Sequence, residues 1–253
     1  LRSGPVADFF ADGGETFIRN ACELSEIEQD PAEDDGLSFA YQVFIESVLL
    51  QTADLKHGGT LLFVREEMDH DDSRVRGRLN LKYVLPSTRP RDALVSAMGA
   101  RLTFNAATER LQERRTIKRE ELEELNALAE ANEQYEDAAR DAVRFIASLT
   151  AVDGAVVLTD KLRILGFGAE VTANISGTDR VHIAQNTEGT ETKEVSFAGY
   201  GTRHRSAFRF AGSMEESVAF VMSQDGGIKA VRQVGSKLMM WPYFKIGFTT
   251  ALS

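Results

Sequence analysis

The sequence predicts a mixed α/β protein, because two kinds of apolar periodicity alternate along the chain. Short apolar runs that follow glycines or turn dipeptides, at 60–64, 155–158 and 217–222, are typical of buried strands. Longer segments repeat apolar residues at steps of three and four, which is typical of amphipathic helices. With 253 residues, 43% of them hydrophobic and 27% charged, the chain can build one large domain or two small ones.

The first 36 residues are interpreted as a lead-in to the folded domain, or as the remnant of an upstream region. An acidic stretch that contains Pro31 and ends at Gly36 predicts a solvated loop over 30–36. Cys22 is the only cysteine, so no internal disulfide can form. It lies in a short helical pattern, which favours a half-buried structural role over a catalytic one.

Helix and strand patterns alternate between residues 37 and 102. They predict, in order, a core-facing helix, a buried strand, a second strand and a short helix, over 37–55, 60–64, 79–84 and 92–102. Gly58 and Gly59 are expected to end the first helix, since glycine adopts the left-handed conformation of a helix C-cap.

The segment 113–149 contains neither glycine nor proline and carries an apolar stripe at helical spacing. It predicts a long helix whose start is favoured by the glutamates of 120–124, with a break near Asn132. Because the stripe keeps no strict heptad, packing against the domain's own sheet is favoured over a separate dimer zipper. We therefore interpret residues 92–149 as a long helical insertion in a domain that spans 37–253.

Strand patterns dominate the rest of the chain. They predict strands over 155–158, 162–166, 171–174, 217–222 and 228–232, a helix over 203–211, and an edge strand in the apolar tail, 238–252. The polar, threonine-rich segment 175–196 predicts a surface excursion between these elements.

Charge and hydropathy exclude some functions. The net charge of −10 argues against broad nucleic-acid binding, which depends on positive potential, but a local basic pocket could still bind ATP. No apolar run approaches the roughly 20 residues that span a bilayer, and the first residues show no secretory pattern. We therefore expect no nucleic-acid partner, no membrane segment in this chain and a cytoplasmic location, which the single cysteine suits.

The dipeptide Asp153-Gly154 lies where the long helical pattern gives way to a strand. Taken alone, it is most often a plain turn. A carboxylate at a strand entrance, with glycine beside it, also leaves space for a ligand to approach the backbone. Such a carboxylate could ligate Mg²⁺ or Mn²⁺, or accept a proton from a sugar hydroxyl.

A dense basic cluster follows at Gly201-Thr202-Arg203-His204-Arg205, at the start of the predicted helix. Thr202 is expected to be the N-cap, and the free amides of the first turn attract phosphate. Arginines offer forked donors that suit phosphate oxygens. The alternative is a solvated basic helix start whose arginines pair with the protein's own carboxylates. The histidines elsewhere, His57, His70 and His182, show no zinc-like spacing.

The two motifs together resemble the paired signature of diadenylate cyclase domains. Asp153-Gly154-Ala155 is similar to the family's Asp-Gly-Ala segment, and Arg203-His204-Arg205 is similar to its Arg-His-Arg segment. Ser223 resembles a strand-end serine that contacts nucleotide in this family, and 58–64 is similar to its first core strand. The resemblance spans about residues 37–234 and is strongest over 145–231.

This resemblance implies a twisted central mixed β-sheet flanked by helices. It also implies an enzyme that condenses two ATP into cyclic di-AMP with release of two pyrophosphates, using Mg²⁺ or Mn²⁺. Two subunits of a homodimer or larger homo-oligomer would meet face to face, each with one ATP. Asp153 would be the catalytic residue and a metal ligand. The expected nucleotide-binding residues are Gly154, Ala155, Thr202, Arg203, His204, Arg205 and Ser223.

Two other functions remain open. Gln224 stands where many members of the family have a glutamate that assists the metal. A catalytically silent sensor that binds adenine nucleotides is therefore the first alternative. A scaffold built on the long helix is the second, and it would not depend on the basic cluster.

Overall fold

A computed structural model of the protein describes residues 3–27, 35–112, 114, 116–175, 179–225 and 227–244, with the backbone alone at 35–38. Six helices lie in these ranges: α1 Gly4–Ser25, α2 Asp35–Asp54, α3 Ser73–Arg76, α4 Arg89–Gln112, α5 Arg119–Leu149 and α6 Thr202–Ser213. The strands are β1 Gly59–Val64, β2 Leu79–Ser87, β3 Ala155–Thr159, β4 Ile164–Val171, β5 Arg180–Ala184, β6 Thr192–Ser196, β7 Ser217–Met222, β8 Ile228–Val234 and β9 Lys237–Trp241.

All nine strands form one mixed sheet in the order β2-β4-β3-β1-β7-β8-β9-β5-β6. The central pair, β1 and β3, is parallel, and β7 runs antiparallel on the other side of β1. The sequence prediction of a mixed α/β fold with a central mixed sheet flanked by helices is therefore confirmed.

The two faces of the sheet carry separate apolar cores, because successive side chains of a strand point to opposite faces. On one face, Leu61, Phe63 and Phe220 pack with residues of α1, α2, α4 and α5. On the other face, Leu62 and Val221 pack with the buried side of α6. The sheet is thus covered by four helices on one face and by α6 on the other.

The first helix corrects the interpretation of residues 1–36 as a lead-in. α1 buries Phe9, Phe10, Phe17 and further residues in the core shared with α2 and the sheet. Gly13 lies where the helix crosses Tyr41 closely, and an added Cβ there would clash with the Tyr41 ring. The acidic loop predicted over 30–36 falls mostly outside the described residues.

Further predictions differ from the structure. The strands predicted over 162–166 and 171–174 are one strand, β4, which ends at Val171. α5 shows no break near Asn132; it packs along α4 and α2, and Val143 and Ile146 near its end join the core on the sheet, as predicted. The segment 175–196 is not only a surface excursion, because β5 and β6 form a hairpin there. β9 is not an edge strand, since β5 pairs with its free side. These differences share one cause: local pattern does not specify which strands or helices become neighbours.

Candidate functional site

Strand directions bring the two predicted motifs to one edge of the sheet, here meaning the side at which the central strands β1 and β3 begin, not an outer strand. β1 and β3 are parallel, so both begin at the same edge. β7 is antiparallel to β1, and its last residue, Met222, pairs with Gly59 at that edge. β8 is antiparallel to β7, so it begins there as well. The residues before β1 and β3 and after β7 therefore meet.

Gly154 fixes the turn that presents Asp153 at this edge. Its φ of +114° lies in a region that L side chains rarely adopt. A Cβ added to Gly154 would lie 2.5 Å from the carbonyl carbon of Gly168, so only glycine fits between the two strands. Asp153, one residue earlier, is exposed to solvent.

A cleft of about 160 Å³ opens at this edge. Three segments line it: the loop before β1, the turn between α5 and β3, and the first turn of α6. Its lining residues are His57, Gly58, Gly59, Thr150, Ala151, Val152, Asp153, Gly154 and Arg203. The acidic turn and the basic cluster, which are far apart in the sequence, thus share one cleft.

Gly58 lets the Arg203 side chain lie against the backbone of the loop before β1. Its φ is +68°, and an added Cβ would lie 2.7 Å from an Arg203 guanidinium nitrogen and 3.1 Å from the Met222 carbonyl oxygen. Gly58 is left-handed, but it does not cap α2 as predicted, because α2 ends at Asp54 and Lys56 is the first left-handed residue after it. Gly58 therefore holds Arg203 and the end of β7 close together.

The start of α6 differs in detail from the sequence prediction. Gly201 is the N-cap, Thr202 is the first helical residue, and no side chain caps the helix, so the prediction of Thr202 as N-cap is wrong. Thr202 and Arg203 are exposed, and Arg205 is half-buried. Within the ranges given above, neither arginine has a salt bridge or a side-chain hydrogen bond, so the alternative in which they pair with the protein's own carboxylates finds no support.

His204 is not among the residues that line the cleft, and its ring lies beside aromatic rings. Its ring lies 5.6 Å from the Tyr200 ring and 6.4 Å from the Phe208 ring, centroid to centroid. Its Nε2 is buried and has no hydrogen-bond partner among the described residues. Burial lowers the pKa of His204, and the nearby charge of Lys229 lowers it further, while Asp225 opposes both. The imidazole is therefore neutral near pH 7.

Two other predicted residues lie outside the cleft lining. Ala155 is buried in β3 and packs in the core beneath α6. Ser223 directly follows β7; its amide donates to the Gly227 carbonyl at 2.9 Å, and its hydroxyl accepts from Lys229 Nζ at 3.0 Å. Of the eight predicted site residues, the structure places Asp153, Gly154 and Arg203 on one cleft, and the other five are not among its lining residues.

His57 lines the cleft and was not predicted as a site residue. Its Nδ1 lies 2.6 Å from the Gly58 carbonyl oxygen, which makes Nδ1 the protonated nitrogen. Its Nε2 is buried without a partner in the described part of the chain. A histidine directly before Gly-Gly and a buried strand was the only sequence signal for this position.

Acidic groups that could hold a metal ion are sparse. Among the described residues, Asp153 is the only carboxylate that lines the cleft. A separate group, Asp69, His70 and Asp71, follows β1 at the opposite edge of the sheet. Asp69 there accepts from His70 and pairs with Arg163 at 3.2 Å, so it already has protein partners. That group is not evidence of a bound metal.

Comparison with known proteins does not assign a family to this arrangement. A scan of protein-family models finds no match to the chain, and a search of curated proteins finds no significantly similar sequence. In the described part of the chain, no helix is both long enough and apolar enough to cross a membrane.

Proposed function

We propose that this protein is a diadenylate cyclase, which condenses two ATP into cyclic di-AMP and releases two pyrophosphates. The observation that carries the proposal is that Asp153, Gly154 and Arg203 line one cleft. An acid opposite unpaired cationic donors is the arrangement that nucleotidyl transfer requires.

Asp153 has the position of a general base in this reaction. Its carboxylate is exposed at the mouth of the cleft and can accept the proton of a ribose 3′-hydroxyl. The hydroxyl oxygen then forms a bond to the α-phosphorus of the other ATP, and the bond from that phosphorus to the pyrophosphate oxygen breaks. The same exchange in the other direction closes the ring.

The basic cluster stabilises the phosphate charge in this proposal. Arg203 lies on the cleft and Arg205 follows two residues later on α6, with both guanidinium groups free of protein carboxylates in the described chain. Phosphoryl transfer depends mainly on positioning and charge stabilisation, and arginine donors supply both. The backbone amides of the first turn of α6 add donors at the positive end of the helix dipole.

A divalent cation fits the residues present. Mg²⁺ is commonly held by one or two carboxylates together with substrate phosphates, and Asp153 provides one such carboxylate. Bound Mg²⁺ or Mn²⁺ would lower the pKa of the attacking hydroxyl and offset phosphate charge. The protein's own part is to orient Asp153 through the turn at Gly154 and to keep Arg203 against Gly58.

The size of the cleft favours a site completed by a second subunit. About 160 Å³ is below the roughly 300 Å³ at which small-molecule sites begin, so one chain would enclose only part of ATP. A homodimer with two clefts face to face would enclose both nucleotides.

The direct test is incubation of the purified full chain with ATP and Mn²⁺ or Mg²⁺, followed by mass spectrometry of the products. We expect cyclic di-AMP from the wild type and a loss of about 100-fold or more in Asp153→Asn, since this change removes the base. Asp179→Asn, at an exposed position outside the cleft, is the matched control and should retain the product. Folded wild-type protein that yields no cyclic di-AMP with either metal would reject the proposal.

A catalytically silent nucleotide sensor is the second candidate. It is favoured by the single carboxylate in the cleft and by Gln224, which is exposed beyond β7 where many family members have an acid. The sensor would show stabilisation by ATP without turnover in the same incubation.

A further inference from the structure

Lys229, which the sequence analysis did not single out, lies beside the predicted phosphate-binding residues. It is the second residue of β8, which begins at the same edge of the sheet as β1 and β3. Its neighbours Ile228 and Ala230 both face the core beneath α1 and α2. Because side chains alternate along a strand, Lys229 faces α6 instead.

One hydrogen bond and one electrostatic influence join Lys229 to predicted nucleotide-binding residues. Its Nζ donates to Ser223 Oγ at 3.0 Å. Ser223 follows Met222, whose carbonyl oxygen approaches Gly58 in the cleft lining. The charge of Lys229 also reaches His204 in the first turn of α6 and contributes to its lowered pKa. Lys229 therefore lies between the end of β7 and the basic cluster.

The ammonium group keeps donor capacity for a ligand. Lysine has three N–H donors, and the Ser223 hydroxyl takes one of them. No ion pair to Lys229 is formed within the ranges that the structure describes, although the protein carries a net charge of −10. Phosphate oxygens would accept the remaining N–H donors of Lys229 in charge-assisted hydrogen bonds.

Ser223 gains a defined role from the same contact. Its Oγ accepts from Lys229, so its own O–H is free to donate elsewhere. Its amide is already used in the bond to Gly227, which fixes the backbone at this point. The hydroxyl proton is thus directed away from the lysine.

We propose that Lys229 binds the phosphate groups of the ligand that Arg203 and Arg205 hold, and orients the Ser223 hydroxyl toward the same phosphates. That the ligand is a nucleoside polyphosphate rests on the proposed function. That Lys229 is a cation without a carboxylate partner in the described chain does not depend on that proposal. Arg203, Arg205 and Lys229 would then surround the phosphates from α6 and β8, with Asp153 on the opposite side of the cleft.

The test measures binding of adenosine, AMP, ADP, ATP and inorganic tripolyphosphate to the full chain by titration calorimetry, with Mg²⁺ present. In the wild type, affinity should rise with phosphate number. Lys229→Met should weaken ATP and tripolyphosphate by about 10- to 100-fold and leave adenosine unchanged, because one charge-assisted hydrogen bond is lost. Lys229→Arg should retain most of the affinity. Lys237→Met, which removes an exposed lysine on β9, is the matched control and should bind as the wild type does.

Several outcomes would overturn the inference. These are equal ATP affinity in Lys229→Met and wild type, equal weakening of adenosine and ATP, and a wild type that binds neither ATP nor tripolyphosphate. If tripolyphosphate binding depends on Lys229 but no cyclic di-AMP forms from ATP, the phosphate site stands and the proposed cyclase function fails. If Lys229→Met forms cyclic di-AMP at the wild-type rate and binds ATP with the wild-type affinity, the cyclase stands and the role of Lys229 fails.

Discussion

The basic side chains near the two ends of the central strands differ in whether they have carboxylate partners. Beyond the C-terminal ends of β1 and β3, Arg65 pairs with Asp160 at 3.0 Å. Arg91 and Arg163 each pair with Glu66 at 3.2 Å. At the other end of the same strands, Arg203, Arg205 and Lys229 have no carboxylate partner in the described chain. The basic residues at one end are held by the protein, and those at the other end are not.

This difference separates stabilising charges from charges available to a ligand. Arg163 also donates to the Glu66 and Met68 carbonyls, at 2.7 and 3.0 Å, so its guanidinium is nearly saturated by the protein. Asp160 is buried, which raises its pKa despite the opposing effect of Arg65. An ionic network of this kind restrains the loops it joins. The cations at the other end have no carboxylate partner in the described chain, where Lys229 donates to the Ser223 hydroxyl, and we propose that a polyanion binds them.

The largest effect is expected at Gly154, where the fold and the cleft depend on one residue. Gly154→Ala should lower the free energy of unfolding by about 3 kcal/mol or more, because the added Cβ meets the Gly168 backbone at a φ of +114°. Gly199→Ala is the control, since an added Cβ there meets nothing within 4 Å, and it should change stability by less than about 0.5 kcal/mol. Urea unfolding measures both, and equal stability of the two variants would contradict this account of the turn.

The next effect concerns the unpaired end. ATP at a hundredfold excess over its Kd should stabilise the wild type by about 2.7 kcal/mol, seen as a rise in Tm. Arg203→Ala with Arg205→Ala should remove this stabilisation without lowering Tm in the absence of ATP. Arg76→Ala with Arg89→Ala removes the same charge from exposed positions and should leave the effect of ATP intact. A wild type whose Tm is unchanged by ATP would show that the unpaired cations serve another purpose.

The paired end should show the converse behaviour. Arg163→Ala should lower the free energy of unfolding by about 2 kcal/mol, because the Glu66 carboxylate and two carbonyl oxygens lose their donor. The Arg163 side chain is only 16% exposed, so water replaces these bonds poorly. Arg203→Ala is its matched control and should lie within about 0.5 kcal/mol of wild type. Denaturant unfolding at pH 7 compares the two, and a costlier Arg203→Ala would reverse the assignment of the two ends.

The smallest effect is the pH dependence that His204 imposes. Its folded pKa lies below its ordinary value, so the unfolded chain binds the proton more readily. The stability contribution of this group is therefore fully present above about pH 6.5 and is lost as the pH falls through the folded pKa. The free energy of unfolding of the wild type should fall relative to His204→Gln between pH 7 and pH 5. Other groups titrate alike in both proteins, and parallel curves would exclude a perturbed histidine.

Much of the secondary structure could be predicted from sequence because its signals are local. The strand over 217–222 is confirmed at both ends, and the helix predicted over 203–211 lies within α6. Only the part of α1 around Cys22 was predicted as helical, and the crossing at Gly13 and Gly14 was not foreseen. Those glycines allow α1 to approach Tyr41 closely, a requirement set by a residue in another helix.

The candidate site was predictable only in part, for a similar reason. Asp153, Gly154 and Arg203 belong to motifs with a chemical meaning of their own. Lys229 and His57 have no such motif, and each becomes notable only through a neighbour distant in sequence or through an unsatisfied atom. Thr202 was assigned to the wrong helix position because capping depends on the backbone angle of Gly201 as well as on residue type.

By itself, the sequence determined the alternation of helices and strands, the glycine turns and the residue types that could bind a nucleotide, because backbone sterics and apolar period act over a few residues. The tertiary structure decided that β1 lies between β3 and β7 and that α6 packs on this part of the sheet. Together these bring the acid before β3, the loop before β1 and the first turn of α6 to one cleft. Strand pairing between distant segments depends on the packing of both faces of the sheet at once, which no local window of sequence contains.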